Sequence, residues 1–333
     1  MKALVYTQPN TMQFQDVPNP QLEADEVIIK VNAVGICGSD MHAYHGHDPR
    51  RNPGLVMGHE AAGTIFQSSS PRFSPGQRVT VNPLILCGHC HNCISGNGNL
   101  CENRTMIGMT RPGAYAEYMS IPAASVIALP DTLSDRDATL TEPVATVIHA
   151  LKISQRSLHR PIQECKVLIL GGGTIGLLMA LLLEAYGVRH LHLAEVNALR
   201  RASCAEYIRA QTFDPLALPP ADASYDYVID AVGRKETRNM GIAALKPLGT
   251  LMHIGLQDWA SEIDMRKVTL AEIAILGTYC YTMSDLHTAV TALEEGILGD
   301  LAWVETYPLH KGAEAFALLH EGKTRASKIV LLP

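Results

Sequence analysis

KVLILGGGTIGLLMALLLEAYGVRHLHLAE, residues 166–195, decides the fold. From Val167 to Leu183 it carries no charge and approaches the length of a membrane span. Three glycines split that run, with a short aliphatic stretch before them and a leucine-rich stretch after, so it reads as a buried strand turning into a buried helix. The turn spells Gly171-x-Gly173-x-x-Gly176. In such a turn the first glycine permits the tight bend, the second admits a pyrophosphate and the third allows close helix packing. Thr174 and Ile175, at the helix start, belong to the same cradle. Glu195 closes the next strand nineteen residues after Gly176, where an acid can bond both hydroxyls of an adenosine ribose. A carboxylate there repels a 2′-phosphate, so the expected cofactor is NAD rather than NADP. Arg200 and Arg201 follow and cover a helix surface; an Arg200 turned toward the ribose would bind the cofactor and soften that preference.

Outward from this stretch, a helix (ALRRASCAEYI), a strand (YDYVIDAVG) and further strands (GTLMHIGL, IAILGTY) continue the alternation of a doubly wound parallel sheet. Two helical stretches and a last strand, SKIVLLP, end the chain. Before about residue 140 the pattern differs: EVIIKVNAVGIC, AAGTIF, QRVTV and AYAEYMSI are short β-rich runs between Gly, Pro, Asn and Ser clusters. Pro143 then opens a helix in TEPVATVIHALK. The expectation is an α/β protein with a β-rich part and a dinucleotide part, and 333 residues at 47% hydrophobic content supply a core for each. A net charge of −6 with no basic run argues against a nucleic-acid partner, and no membrane segment is expected. The N-terminus MKALVYTQPN has only a four-residue apolar run, too short for a secretory signal, so a cytoplasmic location is expected.

Four of eight cysteines, Cys87, Cys90, Cys93 and Cys101, fall in CGHCHNCISGNGNLC. In a reducing compartment such spacing suits four thiolates on one tetrahedral ion better than two disulfides. A bacterial iron–sulfur run would close with three intervening residues and a proline, whereas seven residues intervene here and Glu102 follows, so zinc fits better. Four thiolates leave no open position, which makes this zinc structural; His89 and His91 are then surplus and exposed. Cys165 and Cys204 read as packing residues.

Catalysis by a metal needs an ion with a vacancy. Cys37 in GICGSDMH, His59 and Glu60 in MGHEAAG, and Glu142 in TEPVA could supply one thiolate, one imidazole and one carboxylate from separate segments. Each alone has an ordinary explanation: a small buried hydrophobe, a loop histidine, an acid at a helix start.

CGSDMH, GHEAAG, the four-cysteine loop, GAYAEY, GGGTIG, DAVG and SKIVLLP occur in the order found in the zinc-dependent medium-chain alcohol dehydrogenases, which the chain resembles over nearly its whole length. Glu142-Pro143 resembles the polyol and sugar-alcohol branch, which includes sorbitol and galactitol-phosphate dehydrogenases. The resemblance implies a GroES-like catalytic domain over residues 1–144, a Rossmann NAD-binding domain over 145–283 and a segment over 284–333 that returns to the first domain. It also implies a homodimer or homotetramer and two zinc ions, the catalytic one on Cys37, His59 and either Glu60 or Glu142, with Asp40 orienting His59. Hydride would pass between NAD and a secondary alcohol, with Ser39 taking the alcohol proton and His42 delivering it to solvent. Val232 and Ile254, at strand ends, would flank the nicotinamide.

One departure bears on substrate. Where sorbitol dehydrogenases carry Arg before Tyr, this chain has Cys280 before Tyr281, which leaves another polyol, a sugar-alcohol phosphate or a simpler secondary alcohol as substrate. Arg50 and Arg51 read as exposed, with a phosphate or acid as an alternative partner. An amino-alcohol or aldehyde-forming dehydrogenase is the second reading, and a non-catalytic nucleotide-binding structural protein the third.

Overall fold

The computed structural model describes Met1–Pro333. Lys166–Leu170 is a strand in which four of five residues are buried, and Thr174–Ala185 is the helix that follows. The apolar run therefore changes direction at the glycines, and no helix is long and apolar enough to cross a membrane. Around that strand lies a six-stranded sheet in the spatial order Gln211–Phe213, His190–Ala194, Lys166–Leu170, Tyr225–Asp230, Leu245–His253, Ala274–Gly277. Every pairing is parallel. Its order reverses between Lys166–Leu170 and Tyr225–Asp230, which places a ligand crevice at the carboxyl ends of those two strands.

A seven-stranded sheet forms the β-rich part. Along its main path run Val126–Ala128, Arg78–Val81, Glu60–Ser68, Glu26–Gly35, Lys328–Leu332 and Val304–Pro308, and Tyr118–Pro122 also pairs with Glu26–Gly35. The C-terminal strand thus lies in the N-terminal sheet, with Val330 opposite Gly35 and Leu331 opposite Val34. Among the strands that the sequence patterns do not mark are Gln211–Phe213 and Val304–Pro308. Both are edge strands with little burial, so neither shows the apolar pattern that marks a strand from sequence alone. A single buried cluster joins Ala33 and Ala62 of this sheet to Leu151, Val167 and Leu293, so the two halves share packing.

Asp285 fastens two helices in that shared region. It forms a capping box with Thr282 at the start of Met283–Glu294, accepting from the Thr282 hydroxyl at 2.7 Å, and lies 2.8 Å from His149 Nδ1 on Thr141–Ser154. Burial would raise its pKa, but the bonds from His149 and Thr282 outweigh that and hold it well below the usual carboxylate range. A depressed folded-state pKa stabilises above the unfolded value of about 3.9, and that stabilisation is lost as pH falls toward the folded value. Asp285→Asn is therefore expected to cost about 1.5–3 kcal/mol near pH 6, the range for hydrogen bonds to a charged group. Denaturation midpoints of the two proteins should converge as the pH falls from about 5 to 2; a gap independent of pH would contradict this account.

Candidate functional site

Glu26–Gly35 delivers the chain to Cys37, which caps the helix Gly38–Tyr44, while His59 immediately precedes the strand Glu60–Ser68. Because Gly35 pairs with Glu60 across the sheet, the Glu60 side chain lies over Gly35, where a Cβ would stand 2.0 Å from Oε2. Cys37, His59 and Glu60 then converge, with ligand atoms all within 4.8 Å of one another. Behind them Asp40 is fully buried. It accepts from Tyr115 Oη at 2.7 Å and from the Cys37 amide at 3.1 Å, and its Oδ1 lies 3.5 Å from His59 Nδ1. Burial would raise the Asp40 pKa, yet His59, the Arg51 guanidinium and the Tyr115 hydroxyl hold it far below the usual range. That anion fixes which His59 nitrogen faces it and leaves the other for a metal.

A thiolate, an imidazole and a carboxylate with a carboxylate behind the imidazole make a donor set that suits zinc with a position left open. His59 Nδ1 and Asp40 Oδ1 are both buried without a hydrogen-bond partner, an arrangement that a small closing movement would satisfy. Lys328 forms the far wall. Its ammonium, 1% exposed, reaches Glu60 at 2.5 and 2.8 Å and the Ile36 carbonyl at 2.9 Å. Glu142, the other candidate carboxylate, stands outside this convergent set. It accepts from Tyr281 Oη at 2.9 Å, and its pKa is raised to about 6, chiefly by burial, with His59 opposing and Glu60 adding to the shift.

Ser39 and His42 share the helix Gly38–Tyr44. Arg51, expected on the surface, is instead 3% exposed. Its guanidinium bonds Asp48 at 2.8 Å, the Ser39 carbonyl at 3.0 Å and the Ser39 hydroxyl at 3.3 Å. A buried cation needs such partners, and Asp48 and Asp40 supply them, so Arg51 orients Ser39 and is not free for a substrate acid. Arg50 is exposed and paired with Asp48. Burial, followed by the nearby His47, lowers the His42 pKa.

The dinucleotide turn sits at the crevice. Gly171 has φ +101°, a left-handed conformation, and a Cβ on Gly176 would stand 1.8 Å from the Gly171 carbonyl, so both positions require glycine. A Cβ on Gly173 would meet nothing within 4 Å, leaving open space before the free first-turn amides of Thr174, Ile175 and Gly176. Gly173→Ala is accordingly expected to change stability by less than about 1 kcal/mol while weakening dinucleotide binding, as read by nicotinamide fluorescence. Unchanged binding would count against the cradle. The Thr174 hydroxyl is already committed to the Ser327 carbonyl at 2.5 Å. Glu195 is buried and accepts from the amides of Gly172 at 2.8 Å and Asn197 at 2.7 Å, with Arg200 at 3.3 Å. Arg200 thus pairs with the acid it follows. Val232 and Ile254 stand at the ends of neighbouring strands, whose turns press together: a Cβ on Gly233 would lie 1.9 Å from the Gly255 carbonyl.

Two consecutive residues join the cradle to the convergent set. Ser327 donates to the Gly172 carbonyl at 3.0 Å and Lys328 holds Glu60. Adjacent Cα atoms are about 3.8 Å apart, so a single link of chain ties the dinucleotide turn to the carboxylate of the open donor set.

Cys87, Cys90, Cys93 and Cys101 form a second convergent group. Cys87 and Cys93 sulfurs are 3.9 Å apart, close to the roughly 3.8 Å edge of a tetrahedron with 2.3 Å zinc–sulfur bonds. His89 and His91 are exposed. Asn99 in this lobe donates to the Tyr279 carbonyl at 2.7 Å, tying the lobe to the loop that carries Cys280 and Tyr281. Cys280 takes φ +49°. Its thiol pKa is pushed up to about 12 by burial and then by Glu142.

Two family descriptions match this architecture: the alcohol dehydrogenase GroES-like domain over residues 23–131 and the zinc-binding dehydrogenase over residues 174–295. The chain belongs to the zinc-dependent medium-chain alcohol dehydrogenases. This dehydrogenase is 29% identical to an L-threonine 3-dehydrogenase of Chelativorans sp. (strain BNC1), covering 99% of its own length and 98% of the relative. It is also 29% identical to the L-galactonate-5-dehydrogenase of Escherichia coli K12, covering 95% and 94%. A solved zinc-binding dehydrogenase of Sinorhizobium meliloti 1021 bound to NADP superposes with TM-score 0.87 at 27% identity, covering 100% of this chain and 99% of that one. Zinc and a nicotinamide dinucleotide are the ligands of this family fold.

Sequence reading gave no site role to Tyr115, Ser327 or Lys328, read Arg51 as surface or an acid's partner, and used Tyr281 only to mark the missing arginine. A lysine opening an otherwise apolar last strand was the one visible signal among them.

Proposed function

We propose that this dehydrogenase oxidises a secondary alcohol on a small, hydroxyl-rich substrate, with NAD as acceptor and two zinc ions per chain. The observation that carries this reading is the convergence of one thiol, one imidazole and one carboxylate, tied through the consecutive residues Ser327 and Lys328 to a glycine turn of the dinucleotide type. Cys37, His59 and Glu60 would hold the catalytic zinc, with Glu142 beside them, and the four-thiol lobe the structural one. When bound, the zinc lowers the pKa of the alcohol, and the nicotinamide accepts the hydride. The chain's own residues do the rest. Asp40 orients His59, Arg51 orients the Ser39 hydroxyl, and Ser39 accepts the alcohol proton that His42 passes to solvent.

The preference for NAD rests on the buried Glu195 carboxylate, whose charge would oppose a 2′-phosphate on the adenosine ribose. Arg200 offsets part of that charge, so the preference should be a matter of degree. Glu195→Gln is expected to lower the NAD-over-NADP ratio of kcat/KM, and an unchanged ratio would remove Glu195 from that role.

A polyol or sugar acid is the first substrate reading, supported by the L-galactonate-5-dehydrogenase relative. The L-threonine 3-dehydrogenase relatives favour an amino-alcohol as the second. Both names place the reacting hydroxyl on a secondary carbon. NAD reduction measured across polyols, their phosphates, aldonates and L-threonine separates the two. Failure on every secondary alcohol by protein holding two zinc ions would overturn the activity.

Self-association as a homodimer or homotetramer fits the unpaired edge of Ala274–Gly277 and the exposed Trp259 and Leu270 in the segment leading into that strand. Sedimentation measures it. A reducing location such as the cytoplasm suits eight free cysteines.

A further inference from the structure

Outside both metal groups, three imidazoles gather where the helix Gly38–Tyr44 ends beside the helix Gly312–His320. His45 Nε2 and His320 Nδ1 are 2.8 Å apart, and their ring centroids 4.9 Å. The His47 ring stands 5.8 Å from that of His45, and Glu321 follows His320 in the chain. Beneath them Tyr44 is buried, packs on Phe316 at 5.4 Å and meets the His45 and His320 rings edge-on at 5.7 and 5.9 Å. That floor limits how the two imidazoles can turn. His320 and His47 are exposed and His45 half-buried, so solvent ions reach the group.

Two imidazole nitrogens at this separation share one proton. With that proton on an outer nitrogen instead, the two lone pairs face each other, and turning both rings outward aims them at one point. A tetrahedral ion with metal–nitrogen bonds of 2.0–2.1 Å holds its nitrogens about 3.3 Å apart, so the pair needs to open by only about half an ångström. At the surface that is a small rotation of two side chains.

We propose that His45 and His320, joined by the exposed His47 once its side chain turns inward, form a surface site for a divalent transition-metal ion of the copper, nickel or zinc type. The site is distinct from the four-thiol lobe and from the group around Cys37. An ion bound there clamps the helix that carries Ser39 and His42 to the C-terminal helix Gly312–His320.

The test uses the zinc-loaded, full-length protein titrated with Cu²⁺, followed by calorimetry and electron paramagnetic resonance. The expected result is one Cu²⁺ per chain with at least two nitrogen ligands. His45→Ala or His320→Ala abolishes it, and His47→Ala weakens it. Affinity follows copper above nickel, and the denaturation midpoint rises with Ni²⁺ in the parent but not in His45→Ala. Alcohol oxidation without added metal stays unchanged in His45→Ala. Binding that is equal in the parent and in the His45→Ala/His320→Ala double variant would overturn the site, as would a Cu²⁺ spectrum showing thiolate ligation.

Discussion

Cys37→Ser is expected to lower turnover by about 10³-fold or more, remove one zinc ion per chain and leave dinucleotide affinity intact. The factor follows from the several kcal/mol of charge stabilisation that a catalytic metal supplies, at about 1.4 kcal/mol per tenfold. Serine keeps the shape of the side chain and is a better helix cap than cysteine, so the helix Gly38–Tyr44 keeps its start. It does not ionise near neutral pH, which leaves only His59 and Glu60 converging on the ion. The cradle of Gly171, Gly173, Gly176 and Glu195 belongs to other elements and is untouched. Turnover, metal analysis and titration with reduced nicotinamide cofactor read the three consequences separately. A Cys37→Ser protein that keeps two zinc ions and full activity would show that the open donor group around Cys37 is not the reaction centre.

What the sequence made legible was local. GGGTIG between an aliphatic strand and a leucine-rich helix carries its own geometry, because Gly171 must adopt a left-handed φ and Gly176 must let the helix approach. The four-cysteine loop is also read from spacing alone, since all four thiols lie within fifteen residues. What stayed hidden depends on chain segments meeting from far apart. Lys328 reaches Glu60 across a separation of 268 residues, and Tyr281 reaches Glu142 across 139. Those contacts distinguish the two carboxylates that the sequence left open: one sits in the convergent group against an ammonium, the other under a phenol. Arg51 was misplaced for a similar reason. An arginine in PRRNPG looks like surface, and only the buried Asp40 and Asp48 beside it show otherwise.

Lys328→Met is expected to lower stability by roughly 3–5 kcal/mol, the cost of breaking a buried ion pair from one side. Methionine preserves the volume of the aliphatic stem, so the loss isolates the ammonium. That ammonium donates to both Glu60 oxygens and to the Ile36 carbonyl, which uses its three donors. Without it a carboxylate 1% exposed loses the cation that balances it. The same change should act on the metal in the opposite direction. Lys328 occupies part of the carboxylate's acceptor capacity and offsets its charge, so removing it leaves Glu60 a stronger donor toward a cation. The variant should therefore unfold at lower denaturant yet surrender its catalytic zinc to a chelator more slowly than the parent. General loosening of the site would shift both measurements the same way, with faster zinc loss. Opposite shifts are what Lys328 produces if it restrains Glu60, and an unchanged denaturation midpoint would mean that the pair contributes nothing to the fold.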